Sequence, residues 1–174
     1  MQKALNYLAA MLVVGASAGL AVTLLPTGSN GQVANDGNLS PIYGVSIPDG
    51  YRQWQLVSVA HEPGFDELRA VLGNPTAMDA YERDALPFPD GTTLVKLAWK
   101  HEMSVDFPAA YVAGMPTTVQ VMVKDTKKYA STGGWGFGKF IDGKPAGVEE
   151  HEACFACHEA HVKNHDFVFT RFSK

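Results

Sequence analysis

Between Lys3 and Asp36 the chain carries no charged side chain. Within that span Ala4 to Leu25 is almost continuously apolar, interrupted by Asn6, Ser17 and Thr23. A basic start, an apolar run and small residues are the marks of an export signal, and Ala16-Ser17-Ala18 offers a cleavage site. The run is also long enough to span a bilayer, so residues 1–25 read as a cleaved signal first and a retained membrane anchor second. Either way the rest of the chain is expected outside the cytoplasm. Residues 26–42 are rich in Gly, Asn, Ser and Thr, lack periodicity and read as a flexible linker. The folded domain is expected over residues 43–174.

Inside that domain the pattern shortens. Tyr51 to Val59 mixes aromatic and β-branched residues and predicts a strand. Phe65 to Leu72 has Leu68, Val71 and Leu72 at helical spacing with Gly73 as a stop, and predicts a helix. Asn74-Pro75 reads as an N-cap followed by proline at the first helical position, opening a helix to about Arg83. Pro87 to Gly91 is a turn. Thr92 to Lys100 and Thr117 to Val123 predict strands, and Asp125 a cap for a short helix to Ala130. Trp135 to Ile141 is a glycine-rich strand, Glu149 to about Val162 a helix, and Phe167 to Phe172 a last strand. Strands dominate without regular βα alternation. The fold class is therefore α+β and β-rich, an antiparallel β-sheet with a few helices.

Composition narrows the function. The 174 residues are 46% hydrophobic and 18% charged, which excludes a disordered chain. A net charge of −4 with no Lys/Arg run gives no electrostatic case for nucleic acid. With only two cysteines a disulfide framework is excluded.

Those two cysteines carry the chemistry, in Cys154-Phe155-Ala156-Cys157-His158. C-x-x-C-H is the attachment signal of c-type haem. Two thiols three residues apart lie on one helical turn and reach the two vinyl groups of one porphyrin. The adjacent histidine, His158, then presents its imidazole to the iron as proximal ligand. One motif means one covalently bound haem c, placed near the C-terminus. Two other readings stand beside it. Cys154, Cys157, His161 and His165 have ligand types suited to zinc, though the central gap is short for a finger loop. A redox pair is the other, without the βαβ context such pairs normally have. For the sixth position on iron the candidates are Met78, Met103, Met115, Met122, His61, His101, His151, His161 and His165. His151, His161 and His165 read more simply as solvated or propionate-side residues, and His61 and His101 take the same reading.

Lys96 also stands out. It shares a strand face with Leu94 and Ala98, while Val95, Leu97 and Trp99 take the other. Both faces are apolar, so the strand is expected to be buried. A lysine there must snorkel, pair or do chemistry, because a desolvated ammonium is costly.

Several stretches now add up to a resemblance. Tyr51-Arg52 with Trp54, Phe88 to Lys96 (FPDGTTLVK), Val123 to Tyr129 (VKDTKKY), Gly134 to Phe137, the C-x-x-C-H and Val168 to Phe172 (VFTRF) follow in an order that resembles the cytochrome P-460 family of exported mono-haem c proteins. The likeness spans about residues 48 to 174. It implies an antiparallel β-rich fold, a homodimer and a five-coordinate haem with His158 proximal. It also implies a bond from a lysine to the porphyrin edge, and the family's D-G-T-x-x-x-K stretch falls on Asp90 to Lys96.

Members of that family oxidise hydroxylamine to nitric or nitrous oxide. The resemblance therefore implies an oxidoreductase of the periplasm that hands electrons to a soluble acceptor, another cytochrome. In the best-known members a distal glutamate removes protons, and its position falls on Gln120 here. An amide hydrogen-bonds but is no base near neutral pH. Asp106, Glu102 or a haem propionate are the stand-ins. Related cytochromes c′-beta share the fold and bind nitric oxide without turnover, and Gln120 agrees with that second reading. A six-coordinate electron-transfer cytochrome is the third. Arg171, in the F-T-R-F stretch, is expected in a propionate contact or an ion pair.

Overall fold

The structure is a computed structural model, and it describes residues 38–174. The apolar segment of residues 1–25 and most of the stretch read as a linker lie outside the described residues. Six strands, β1 (Gln55–Glu62), β2 (Glu67–Gly73), β3 (Thr93–Met103), β4 (Tyr111–Lys124), β5 (Trp135–Ile141) and β6 (Lys144–Pro145), form one sheet in sequence order. Every neighbouring pair is antiparallel. Among the described residues two α-helices accompany it, α1 (Pro75–Glu82) and α2 (Val148–Val162). The β-rich α+β fold expected from the sequence is the one observed.

Local chemistry explains most of these elements. The Asn74 side chain accepts from the Ala77 N–H, so α1 has its side-chain cap with Pro75 inside the first turn. The same oxygen accepts from Thr93 N–H, and the Asn74 amide donates to the Gly91 carbonyl. One residue thus ties the start of α1 to the start of β3. Ala77, Met78, Ala80 and Tyr81 are the buried face of α1. Gly73 lets that face close on the sheet, since a Cβ there would lie 3.0–3.1 Å from Met78, Ala77 and Val57.

Three expectations are corrected. The segment Phe65 to Leu72 is no helix: Glu67 to Gly73 is strand β2, paired with β1 on one side and β3 on the other. Its apolar residues fit both periods, and short runs of this kind are decided by available partners. After Glu62 the chain reverses through Pro63 to Asp66, with Asp66 at φ 56°, and that hairpin commits the segment to the sheet. After Asp125 there is a turn instead of an α-helix. The Asp125 carboxylate accepts from the Lys127 and Lys128 N–H groups, and only Ala130–Thr132 forms a 3-10 turn. The segment Phe167 to Phe172 forms no strand and joins no ladder: Phe167 lies in a turn and the residues after it carry no regular structure. It packs on other elements instead: Val168 is buried, Tyr81 donates to the Thr170 carbonyl, and Ser173 N–H reaches the carbonyl of Val57 in the β1 bulge.

The core is continuous through Val57, Val95, Val121, Trp135, Phe140 and Val168, all essentially inaccessible to solvent. Ser40 is part of it, donating to the Phe137 carbonyl and accepting from Val45 N–H.

Candidate functional site

Strand register places Val71, Lys96, Gln120 and Lys139 side by side across β2 to β5. Residues directly opposite across a ladder project to the same face, so these four side chains form one row. Lys96 and Gln120, far apart in sequence, are immediate partners. The adjacent row on that face is Leu94, Met122 and Phe137.

Helix α2 packs on this face. Its residues His151, Cys154 and His158 recur at helical spacing and turn inward. Phe137 meets the His158 ring at 5.0 Å between centroids and the Phe155 ring at 6.4 Å. Both cysteines are free thiols, Cys154 half-buried and Cys157 exposed. Burial pushes the Cys154 thiol up, while Lys139 and Lys96 pull it the other way.

His158 is held in a defined state. Its Nδ1 lies 2.7 Å from the Phe167 carbonyl oxygen. A carbonyl only accepts, so Nδ1 carries the proton and Nε2 is left with its lone pair. Burial lowers its proton affinity, opposed by the bond to Phe167 and reinforced by the Lys96 charge. The ring is therefore a neutral imidazole with Nε2 free, which is what an iron ligand requires. With two free thiols one turn apart on the same helix, the residues present fit a covalently attached haem.

Lys96 faces this helix. It makes no ion pair or hydrogen bond among the described residues, so the pairing expected of a buried lysine is not found. Burial, with Arg69 adding to it, lowers its proton affinity to a pKa of about 8, against opposing pulls from Glu67 and Cys154. The Gln120 Nε2 donates to Thr118 Oγ1 at 3.2 Å, and its amide oxygen has no partner among the described residues.

The remaining candidates sort by face. His61 and His101 stack at 4.6 Å, with Tyr111 against His101, and His101 points to the opposite face of β3 from Lys96. Met103 and Met115 are exposed, and Met78 is buried in α1. Only Met122 shares the Lys96 face in register. Glu102 lies six residues beyond Lys96 on β3, roughly 20 Å along the strand, and Asp106 is exposed beyond it in the hairpin end. Neither stands near the row in this chain. His151 is corrected outright: it is fully buried, with Nδ1 on the Gly147 carbonyl and Nε2 accepting the Lys139 N–H. It closes the edge of β5 where the short β6 has ended. The zinc set is not assembled. His161 bonds back to the Cys157 carbonyl, His165 lies against the Val168 carbonyl, and no three His, Cys, Asp or Glu converge among the described residues. Among the described residues Arg171 forms no ion pair; it donates to the Val168 and Phe169 carbonyls of its own loop.

Two polar residues of the face escaped the sequence reading. Glu67, 8% exposed, accepts two hydrogen bonds from Arg69 and one from Thr117 Oγ1 at 2.7 Å. Arg69 also pairs with Glu62. Read as a strand, Glu67-Leu68-Arg69 would have shown this alternation; read as a helix, it did not.

The model of the cytochrome P460 family matches residues 48–170, nearly all of the described domain. The chain belongs to the cytochrome P460 family. A search of curated proteins finds no match. Membership makes this a c-type cytochrome with a haem cofactor.

Proposed function

We propose that the protein holds one covalent haem c and oxidises hydroxylamine or a related small nitrogen species at a five-coordinate, lysine-modified haem. The observation that carries this reading is the juxtaposition of the Lys96 amine with the C-x-x-C-H helix. Cys154 and Cys157 would anchor the group and His158 Nε2 would bind its iron. When bound, the haem supplies an iron with one open position and a path for electrons out of the substrate.

The chain's own part is positioning and proton handling. Lys96 is the residue to cross-link the porphyrin edge, an N–C bond that replaces one N–H and one C–H and passes two electrons to an added oxidant of the peroxide class: a pKa near 8 leaves roughly a tenth of its amine unprotonated at pH 7, against a few parts in ten thousand for an ordinary lysine. Gln120 donates to or accepts from a small ligand but takes no proton. Glu67 is the carboxylate on that face, occupied by Arg69 and Thr117. Export to the periplasm, a homodimer and a soluble cytochrome as electron acceptor complete the proposal, supported by the apolar start of the chain and the family likeness.

Expression with haem c maturation, beside Lys96→Ala, tests it. The expected result is a broad, red-shifted ferrous Soret band lost in the variant, with hydroxylamine consumed when an electron acceptor is added. A haem-loaded wild type without turnover refutes it. Gln120 in place of a base favours a second reading, a nitric oxide binder of the cytochrome c′-beta kind. Tight nitric oxide binding with no hydroxylamine consumption selects that one.

A further inference from the structure

His158 is oriented by one bond, from Nδ1–H to the Phe167 carbonyl at 2.7 Å. That carbonyl belongs to no helix or strand. It sits in a turn after α2 where Asp166 and Phe167 have φ of 48° and 62°. Consecutive left-handed residues, one of them a bulky aromatic, are unfavourable and persist only where the surroundings over-determine them.

The surroundings are a buried ion pair. Lys124, 3% exposed, places Nζ 2.7 and 2.9 Å from the two Asp166 carboxylate oxygens. The same ammonium donates to the Gly133 carbonyl at 3.0 Å and lies 5.0 Å from the centre of the Trp135 ring. Trp135 Nε1 donates to the Asp166 carbonyl, and Phe88 N–H to the Asp166 carboxylate, each at 2.8 Å. Lys124 ends β4 and Trp135 begins β5, directly opposite each other. The turn is therefore fastened to the sheet on both sides. On its far side the Phe167 ring lies on Gly133, where no side chain would fit.

We propose that the Lys124–Asp166 pair is the positioning device for the axial histidine. It holds the turn that aims the Phe167 carbonyl at His158, and so sets the strength of the iron–histidine bond and the haem potential. Both are positioning residues, since neither is directed at iron or substrate. A carbonyl accepting the Nδ1 proton makes the imidazole a stronger donor, which favours oxidised iron. Loosening the turn weakens the donor and favours reduced iron. The proposal rests on His158 as axial ligand but not on hydroxylamine oxidation.

The test uses haem-loaded Lys124→Met, Asp166→Asn and the double variant. The double variant leaves no lone buried charge, so it folds where a single one fails. The readouts are the iron–histidine stretching band of the ferrous protein and the midpoint potential. We expect the band at lower frequency and the ferrous form favoured about tenfold, an upward shift of about 59 mV for one electron. Lys124→Arg, which keeps the charge, recovers most of both. Asp79→Asn, removing an exposed pair with Arg83 at the end of α1, changes neither. A purely structural role would lower the melting temperature without moving band or potential, so a folded, haem-loaded double variant with wild-type values overturns the proposal. Failed hydroxylamine turnover would leave it standing, whereas a wild type whose ferrous haem is five-coordinate yet shows no iron–histidine band overturns it together with the axial role of His158.

Discussion

Replacing Lys96 with methionine should stabilise the haem-free protein at neutral pH. The ammonium sits on a covered sheet face without a carboxylate partner, and burial brings its pKa from 10.5 to about 8. At about 1.4 kcal/mol per factor of ten in proton affinity, the charged form costs the fold about 3 kcal/mol. Methionine fills similar space without that charge. The sign follows from linkage. Below pH 8 the folded and unfolded chains both carry the proton, and the full cost falls on the folded state. Between about pH 8 and 10.5 the folded chain has released it while the unfolded chain still holds it, so the wild type gains stability as pH rises. The advantage of K96M should therefore be largest at pH 6–7 and fade toward pH 10.5. Urea unfolding followed by tryptophan fluorescence, on protein made without haem maturation, measures it across that range, with Lys100→Met as an exposed control. An advantage that does not change with pH, or none at pH 7, refutes the reasoning. The result bears on function, because a lysine that destabilises its own fold by this much is explained by what its free amine does in the finished site.

Two further outcomes follow from buried polar contacts. Lys124→Met and Asp166→Asn should each cost about 3–5 kcal/mol, because each strands the other's charge, while the double variant should lose far less than their sum; additive losses in a double-mutant cycle would show that the pair is not coupled. His151→Ala removes the acceptor of the Lys139 N–H and empties a fully buried site, so a loss of roughly 2–4 kcal/mol is expected in thermal unfolding, with His151→Gln milder; an unchanged melting temperature would mean that water serves the β5 edge equally well.

What could be read along the chain was whatever depends on near neighbours. The C-x-x-C-H works at the level of one helical turn, so spacing alone placed two thiols and an imidazole together on α2. Asn74-Pro75 announced the start of α1 because a cap bonds three residues ahead. The apolar runs of β3, β4 and β5 marked strands, that of β3 a buried one, and the isolated Lys96 within it was visible as an anomaly. The rest depended on which distant segment came to lie alongside. Glu67 to Gly73 fits a helix or a strand by its own pattern, and became a strand because β1 and β3 supply hydrogen bonds on both edges. With that assignment came the Glu67–Arg69–Thr117 cluster. Gln120 stands beside Lys96 only through the β3–β4 register, and a shift of one residue would have put it on the other face. His151 looked like a surface histidine until β6 ended and left a β5 N–H for it to meet. The state of His158 was decided by Phe167, and Phe167 by Lys124, forty-two residues from Asp166 in sequence. Motifs fix which atoms can react, because covalent spacing is local. Protonation, tautomer and reach are set by packing and register, which only the folded chain brings into being.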